Sequence, residues 1–232
     1  MRVSIVVPAF NESRRLPATL DHIGRAARVF ASRGWDTQLL VCDNNSTDDT
    51  AAVARAHGAD VVFEPVNQIS RARNTGAAAA TGDWLVFIDA DSHPSPALFE
   101  YVAACMADGR TLAGGSTLQF DCDGALARWS ARAWNAVSRT MRWAAGSFIF
   151  VEASAFRRVG GFSTQLYAAE ELDLFRRLKH LARATTRRIV IVNGAPLVTS
   201  GRKLLLYRWH EMLWLFVRSE EHTSELQSRE TI

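Results

Sequence analysis

The first part of the chain alternates short apolar runs with amphipathic stretches. Apolar runs occur at residues 3–7 (VSIVV), 39–42 (LLVC), 61–63 (VVF) and Trp84–Ile88 (WLVFI). All four predict strands, and Trp84–Ile88, short and wholly apolar, predicts one buried on both faces, as in a parallel sheet. Pro8 is expected to stop the first. Between them, residues 15–31 and 50–57 have helical periodicity, and residues 69–80 form an Ala-rich helix. Ser46 reads as the N-cap of the second helix, with Asp48 and Asp49 in its first turn, and Gly58 reads as its stop. Strand and helix in strict alternation predict βαβ units with right-handed crossovers, hence an α/β fold.

The second half is less regular. Helices are predicted over Pro96–Ala107, Ala125–Met141, 154–159 and 170–182. Strands are predicted over Thr111–Phe120, bulged at Gly114 and Gly115, and over 147–151 and 188–192. No internal repeat or linker divides residues 1–203, which read as one domain. Residues 204–217 (LLLYRWHEMLWLFV) are mostly apolar and aromatic, either a packed helix or an interfacial one. Residues 218–232 begin RSEEHTSELQS, a polar string without apolar period. It resembles the translation of a sequencing adapter and is read as a non-native tail, with the native C-terminus missing.

Composition narrows the classes. A length of 232 residues, 48% of them hydrophobic, supports one ordinary core. The net charge of +3 is mild and the basic residues are scattered, so nucleic acid is not an expected partner. Cys42, Cys105 and Cys122 lack metal or disulfide spacing, which predicts free thiols in a reducing compartment. No leader precedes the first strand, and no apolar run is long enough to span a bilayer. The expected location is cytoplasmic, with peripheral contact at the inner membrane face left open by residues 204–217.

Chemistry concentrates where the fourth strand ends, at Asp89-Ala90-Asp91, followed by Ser92, His93 and Pro94. Ligands of open α/β sheets bind beyond the carboxyl ends of the strands. Two carboxylates there suit Mg²⁺ or Mn²⁺, with phosphate oxygens completing the shell. Taken on its own, the tripeptide reads more readily as a solvated acidic turn, since D-x-D is a weak pattern.

Four motifs in order carry a resemblance: VSIVVPAFNES at 3–13, VCDNNSTDDT at 41–50, ARNTGAAAATGDWLVFIDAD at 72–91, and GGF with AAEELDLFRRLK at 160–179. Together they resemble glycosyltransferase family 2. That family has the nucleotide-sugar-binding GT-A fold, with a mixed, mostly parallel sheet between helices. The resemblance implies an inverting transfer of sugar from a nucleoside-diphosphate donor, a UDP-sugar being favoured, to an acceptor hydroxyl. The acceptor and the oligomeric state are unspecified. The resemblance places Pro8, Ala9 and Glu12 beside the nucleoside, and Asp43 as acceptor for the base. It places Arg73 near the nucleotide, to meet a phosphate or lock a carboxylate. Asp91 becomes the metal ligand, and Asp89 serves the ribose or a metal-bound water as part of the same motif. His93 keeps no role.

The general base falls by position on Glu171. The family has Asp there, so Glu170 and Asp173 remain rivals, and helix capping accounts for the acids not used. Arg202 and Lys203 either fold over the diphosphate or flank the apolar segment that follows. A dinucleotide-binding oxidoreductase is disfavoured because no glycine follows the first strand. An aspartyl phosphotransferase would carry its motif on the first strand, and a non-catalytic sugar-nucleotide binder would have no use for Glu171.

Overall fold

The computed structural model describes residues 1–122, 124–166 and 169–201. The N-terminal strands form as β1 (Arg2–Ala9), β2 (Asp36–Asp43), β3 (Asp60–Phe63) and β4 (Trp84–Ile88). They are joined by α1 (Leu16–Ser32), α2 (Thr50–Ala56) and α3 (Ile69–Ala79). Then follow β5 (Ser92–His93), α4 (Pro96–Ala107), β6 (Thr111–Phe120), α5 (Ala125–Met141), β7 (Phe148–Glu152), α6 (Ala153–Arg158), α7 (Glu170–Ala184) and β8 (Arg188–Thr199). All belong to a compact unit, Met1–Thr199. Of the second unit, Ser200–Ile232, Ser200 and Gly201 are described. Arg202, Lys203, the apolar segment 204–217 and the tail 218–232 lie outside the described residues.

The strands make one sheet in the order β3-β2-β1-β4-β7-β6-β8-β5. β7 and β5 run against the other six, so the sheet is mixed and mostly parallel. β1 has parallel neighbours on both sides, β2 and β4. The chain order reverses there, which opens a crevice beyond the carboxyl ends of β1 and β4.

Alternate residues of each strand feed opposite faces. Val3, Ile5 and Val7 of β1, with Trp84, Val86 and Ile88 of β4, pack under α1 and α4. Val6, Leu85 and Phe87 pack on the other face with α6 and α7. Both faces are covered, which is why these strands read as unbroken apolar runs. Gly76 of α3 lets that helix lie on β1, since a Cβ there would stand 2.4 Å from Val6 Cγ1.

Four expectations change. β1 continues through Pro8 to Ala9, because β1 pairs with β4 only as far as Val6. Ala9 bonds toward β2, so the N–H that Pro8 lacks falls on the side where pairing has ended. Ser46 is not the N-cap of α2, whose N-cap is Asp49. Its hydroxyl instead accepts the Asn11 N–H, 3.0 Å away. β6 is irregular on either side of Gly114 and Gly115 rather than at them. Those glycines serve close approach, since Cβ atoms would meet Phe150 Cζ at 2.4 Å and Ala144 Cβ at 2.3 Å. β8 runs through Pro196, which sits where β8 advances from Val192 to Leu197 against Ser116 to Leu118 of β6. Pro needs no partner in such a bulge. Among the described residues no helix is long and apolar enough to cross a membrane.

Paired glycine substitutions test the packing of α3. Gly76→Ala is expected to lower stability by about 1–3 kcal/mol through overpacking. Gly24→Ala on α1 meets open space and is expected to raise stability by about 0.5–1 kcal/mol. Urea unfolding of each variant measures the two shifts.

Candidate active site

The loops after β1 and β2 are laced together. The Asn11 Oδ1 accepts from the Thr47 N–H at 2.8 Å, and the Ser13 N–H donates to Asp48 Oδ2 at 3.1 Å. The Glu12 N–H donates to Thr50 Oγ1 at 2.9 Å. Burial alone would raise the Asp48 pKa. Hydrogen bonds from Thr50 and Ser13 outweigh it and hold the carboxyl at about 2. Asn11 and Asn45 take left-handed backbone conformations, φ +53° and +63°, which Asn tolerates. Asp48 is thus a loop clasp rather than a helix-start charge.

This clasp fixes the floor beside the crevice. Ala9 stands in register with Asp43, and Pro8 with Cys42. Pro8 and Ala9 are buried, while Phe10 is 48% exposed at their edge. Asp43 is buried, and its Oδ1 accepts the Ser46 N–H at 3.1 Å. One donor leaves a carboxylate with acceptor capacity to spare. Glu12 is buried and reaches Arg15 at 3.5 Å. Asn44 crosses to β3, donating to the Glu64 and Val66 carbonyls.

α3 is the hub. Its Arg73 is 2% exposed and donates to Asp89 Oδ1 at 3.1 Å, Glu170 Oε1 at 2.8 Å and the Gly146 carbonyl at 2.8 Å. The guanidinium also lies over the Phe162 ring, 5.1 Å from its centroid. Burial opposes the charge, but Asp89, Glu170 and Glu171 together raise the Arg73 pKa above its ordinary value. Of the two roles open to Arg73, the structure supplies the lock on carboxylates. Arg71 is exposed and holds Gln68.

The neighbouring side chain, Asn74, grips Phe162 twice, accepting its N–H at 2.9 Å and donating to its carbonyl at 2.8 Å. Gln68 donates to the carbonyls of Thr164 and Leu166. These contacts hold the segment that leads into α7. Sequence reasoning gave Asn74 and Gln68 no role. Asn74 lay inside the third motif, but nothing local pointed to a partner so far along the chain.

At the end of β4, Asp89 and Asp91 are 7% and 5% exposed. The turn they share is gripped from α1. Thr19 Oγ1 donates to the Ala90 carbonyl at 2.8 Å, and His22 stacks on His93 with ring centroids 4.6 Å apart. β5 pairs the same turn with the end of β8, where the Ser92 and Thr199 hydroxyls are 2.9 Å apart. His93 is therefore a packing residue of this turn. Among the described residues no three His, Cys, Asp or Glu side chains form a ready metal cage. The pair of buried carboxylates still suits a cation that takes most of its shell from phosphate and water.

The three acids at the start of α7 have different surroundings. Asp173 is committed to Arg177, whose Nε and Nη2 donate at 2.9 and 2.7 Å. Arg177 also donates to the carbonyls of Val159 and Gly161. Glu170 is buried against Arg73. Glu171 is half-buried. Burial, then repulsion from Glu170, pushes its pKa up to about 7, against the pull of Arg73. The preceding Ala169 has φ +60°, a left-handed conformation that turns the chain into the helix. Arg202 lies outside the described residues. A cleft of about 340 Å³, lined by Gly82, Asp83 and Glu152, lies at the opposite end of β4 and plays no part here.

A model of glycosyl transferase family 2 matches residues 4–163. An uncharacterized glycosyltransferase of Mycobacterium tuberculosis is 45% identical over 89 residues, 38% of this chain and 36% of the relative. A PGL/p-HBAD biosynthesis glycosyltransferase of the same species is 33% identical over 94 residues, 38% of this chain and 34% of the relative. The matches span about a third of these relatives' length. Staphylococcus aureus TarS in complex with UDP-GlcNAc is similar in fold, with a TM-score of 0.66 at 16% identity over 86% of this chain and 58% of that one. Glucosyl-3-phosphoglycerate synthase of M. tuberculosis, in complex with Mn²⁺, UDP and phosphoglyceric acid, gives 0.62 at 22% identity over 91% and 72%.

Removing the hub cation is expected to be costly in a pH-dependent way. Arg73→Met leaves Asp89 and Glu170 buried without their partner, at a cost of about 3–5 kcal/mol at pH 8. The stranded carboxyls acquire raised pKa values, so protonation relieves them as pH falls. Denaturant unfolding should show the deficit shrinking toward pH 5.

Proposed function

The chain belongs to glycosyl transferase family 2 and has the GT-A fold, and on that premise we propose that it transfers a sugar from a nucleotide-sugar to an acceptor hydroxyl with inversion. The observation that carries this reading is the gathering of Asp89, Glu170 and Glu171 around Arg73 beyond the carboxyl end of β4, with the buried Asp91 two residues after Asp89 on the same turn. TarS and the mycobacterial synthase have been solved with UDP or a UDP-sugar, which supports a uridine donor here.

Each residue then has a task. Ala9 and Pro8 form the floor under the nucleoside, with Glu12 supporting the loop. Asp43, a pure acceptor when ionised, takes the imide N–H of the base. Asp91, with Asp89, would hold Mg²⁺ or Mn²⁺, both of which occur with UDP in structures of the mycobacterial synthase. The chemistry gained there is neutralisation of charge on the departing diphosphate. Arg73 holds Asp89 in place by its ion pair rather than meeting a phosphate itself. Arg202 is proposed to approach the diphosphate. Glu171 accepts the acceptor's hydroxyl proton while that oxygen attacks the anomeric carbon from the face opposite the diphosphate.

The proposal prefers Glu171 over its rivals on environment. Asp173 and Glu170 are held by arginines, which lowers their availability as bases. A base must be ionised to act and works best with a pKa near the operating pH. Glu171, raised to about 7, meets that condition. An aspartyl phosphotransferase reading is disfavoured because Asp89, its natural nucleophile, is buried and bridged to Arg73.

Two outcomes check the assignment. Release of UDP from a donor–acceptor pair, followed by coupled assay, should show kcat/KM rising with pH through an apparent pKa near 7, since this ratio reports the free enzyme. Glu171→Gln should lower kcat by about 10²–10⁴-fold with donor binding retained. A Glu171→Gln variant that transfers at the wild-type rate removes the base assignment. Asp91→Asn should abolish the dependence of UDP binding on Mn²⁺, measured by calorimetry.

A further inference from the structure

One side of α5 is fixed to the domain and the other is left open. Ala131 and Ser138 are buried and Trp134 packs on the core. Asn135 pins the helix to β6, accepting the Leu118 N–H at 2.8 Å and donating to its carbonyl at 2.9 Å. The open side has an ordered composition. Arg128, Arg132 and Arg139 line up along one edge at helical spacing and are exposed. Beside them stands Trp129, 65% exposed, and the far edge holds Val137 and Met141, 41% and 46% exposed. No acidic residue occurs between Gly124 and Arg142.

The positive charge continues past the helix. Arg142 is its C-cap, and Lys179 of α7 lies over the Trp143 ring, 4.9 Å from its centroid. Burial and then the neighbouring Arg183 and Arg142 lower the Lys179 pKa, a sign of crowded cations. Between α5 and β8, Arg139, Arg142 and Arg188 line a cleft of about 290 Å³ floored by Ile189 and Ile191. Arg188 is partly neutralised by Asp108, 2.7 Å away.

An open helix side with arginines along one edge, aliphatic side chains along the opposite edge and an exposed Trp129 between them suits a helix that lies in a membrane interface. Arginines meet headgroup phosphates, and the aromatic and aliphatic side chains enter the acyl boundary. A nucleic acid would use the arginines but leave Val137 and Met141 without a partner. We infer that the open face of α5 docks on an anionic lipid bilayer, with the cleft of Arg139, Arg142 and Arg188 receiving a lipid phosphate. Residues 143–147 lead from α5 to the carbonyls of Gly146 and Ser147, which accept from Arg73 and from the Asp89 N–H. Docking thus brings the bilayer to an element joined directly to the site. The inference does not rest on the transferase reading, and its test needs no turnover.

The test is co-sedimentation of the full chain with vesicles of phosphatidylcholine, with and without phosphatidylglycerol. Binding is expected with phosphatidylglycerol only and should weaken as salt rises. Arg132→Gln and Arg139→Gln should each weaken it about fivefold, and Trp129→Ser should weaken it further. All three side chains are exposed, so thermal unfolding should be unchanged, which separates lost docking from lost folding. Equal binding by wild type and all three variants overturns the inference and assigns membrane contact to residues 204–217. Absence of binding to either vesicle overturns it as well, as does binding to a homopolymer RNA without binding to vesicles.

Discussion

The site depends on one buried cation. Arg73 bridges Asp89 at the end of β4 to Glu170 at the start of α7, two residues far apart in sequence. A guanidinium this buried persists only with its charge answered. Asp89 and Glu170 answer it, and with the Gly146 carbonyl they occupy Nη1 and Nη2, while the buried Nε has no hydrogen-bond partner. The same bonds set where α7 begins, and therefore where Glu171 stands. A Cβ at Gly146 would crowd the guanidinium, lying 3.1 Å from Arg73 Nη2.

Around that cation the rest of the structure supplies position. Gly76 brings α3 onto β1 and so carries Arg73 and Asn74 to the crevice. Asn74 holds Phe162, whose ring lies under the guanidinium. Thr19 and the His22–His93 stack hold the Asp89–Asp91 turn from the opposite layer. Helices from both faces of the sheet thus meet at one end of it. Acids of similar type acquire different characters from their neighbours alone: Asp173 is tied by Arg177, Glu170 is bridged, and Glu171 holds its proton to about pH 7.

Much of this was legible in the residues. Apolar runs gave the strands that are buried on both faces, because burial on both faces leaves no polar position to confuse the period. Asp89 and Asp91 were visible as acids at the end of such a run. What stayed hidden was long-range pairing. Nothing near Asn74 or Gln68 announces a backbone partner in the segment before α7, and β5 is too short to leave a pattern. Local rules also misled where tertiary bonds won. Ser46 looks like a helix cap but serves the loop of β1, and Pro8 looks like a strand stop but falls where pairing has already ended on its side.

The most direct test of the site is its structure with UDP and Mn²⁺ bound, using the anomalous signal of the metal to locate it. The account expects the metal peak at the Asp91 carboxylate, the diphosphate at the carboxyl ends of β1 and β4, and Arg73 still bridging Asp89 and Glu170. A metal and diphosphate bound elsewhere, or an Arg73 that has left its carboxylates to take the phosphate, would contradict it.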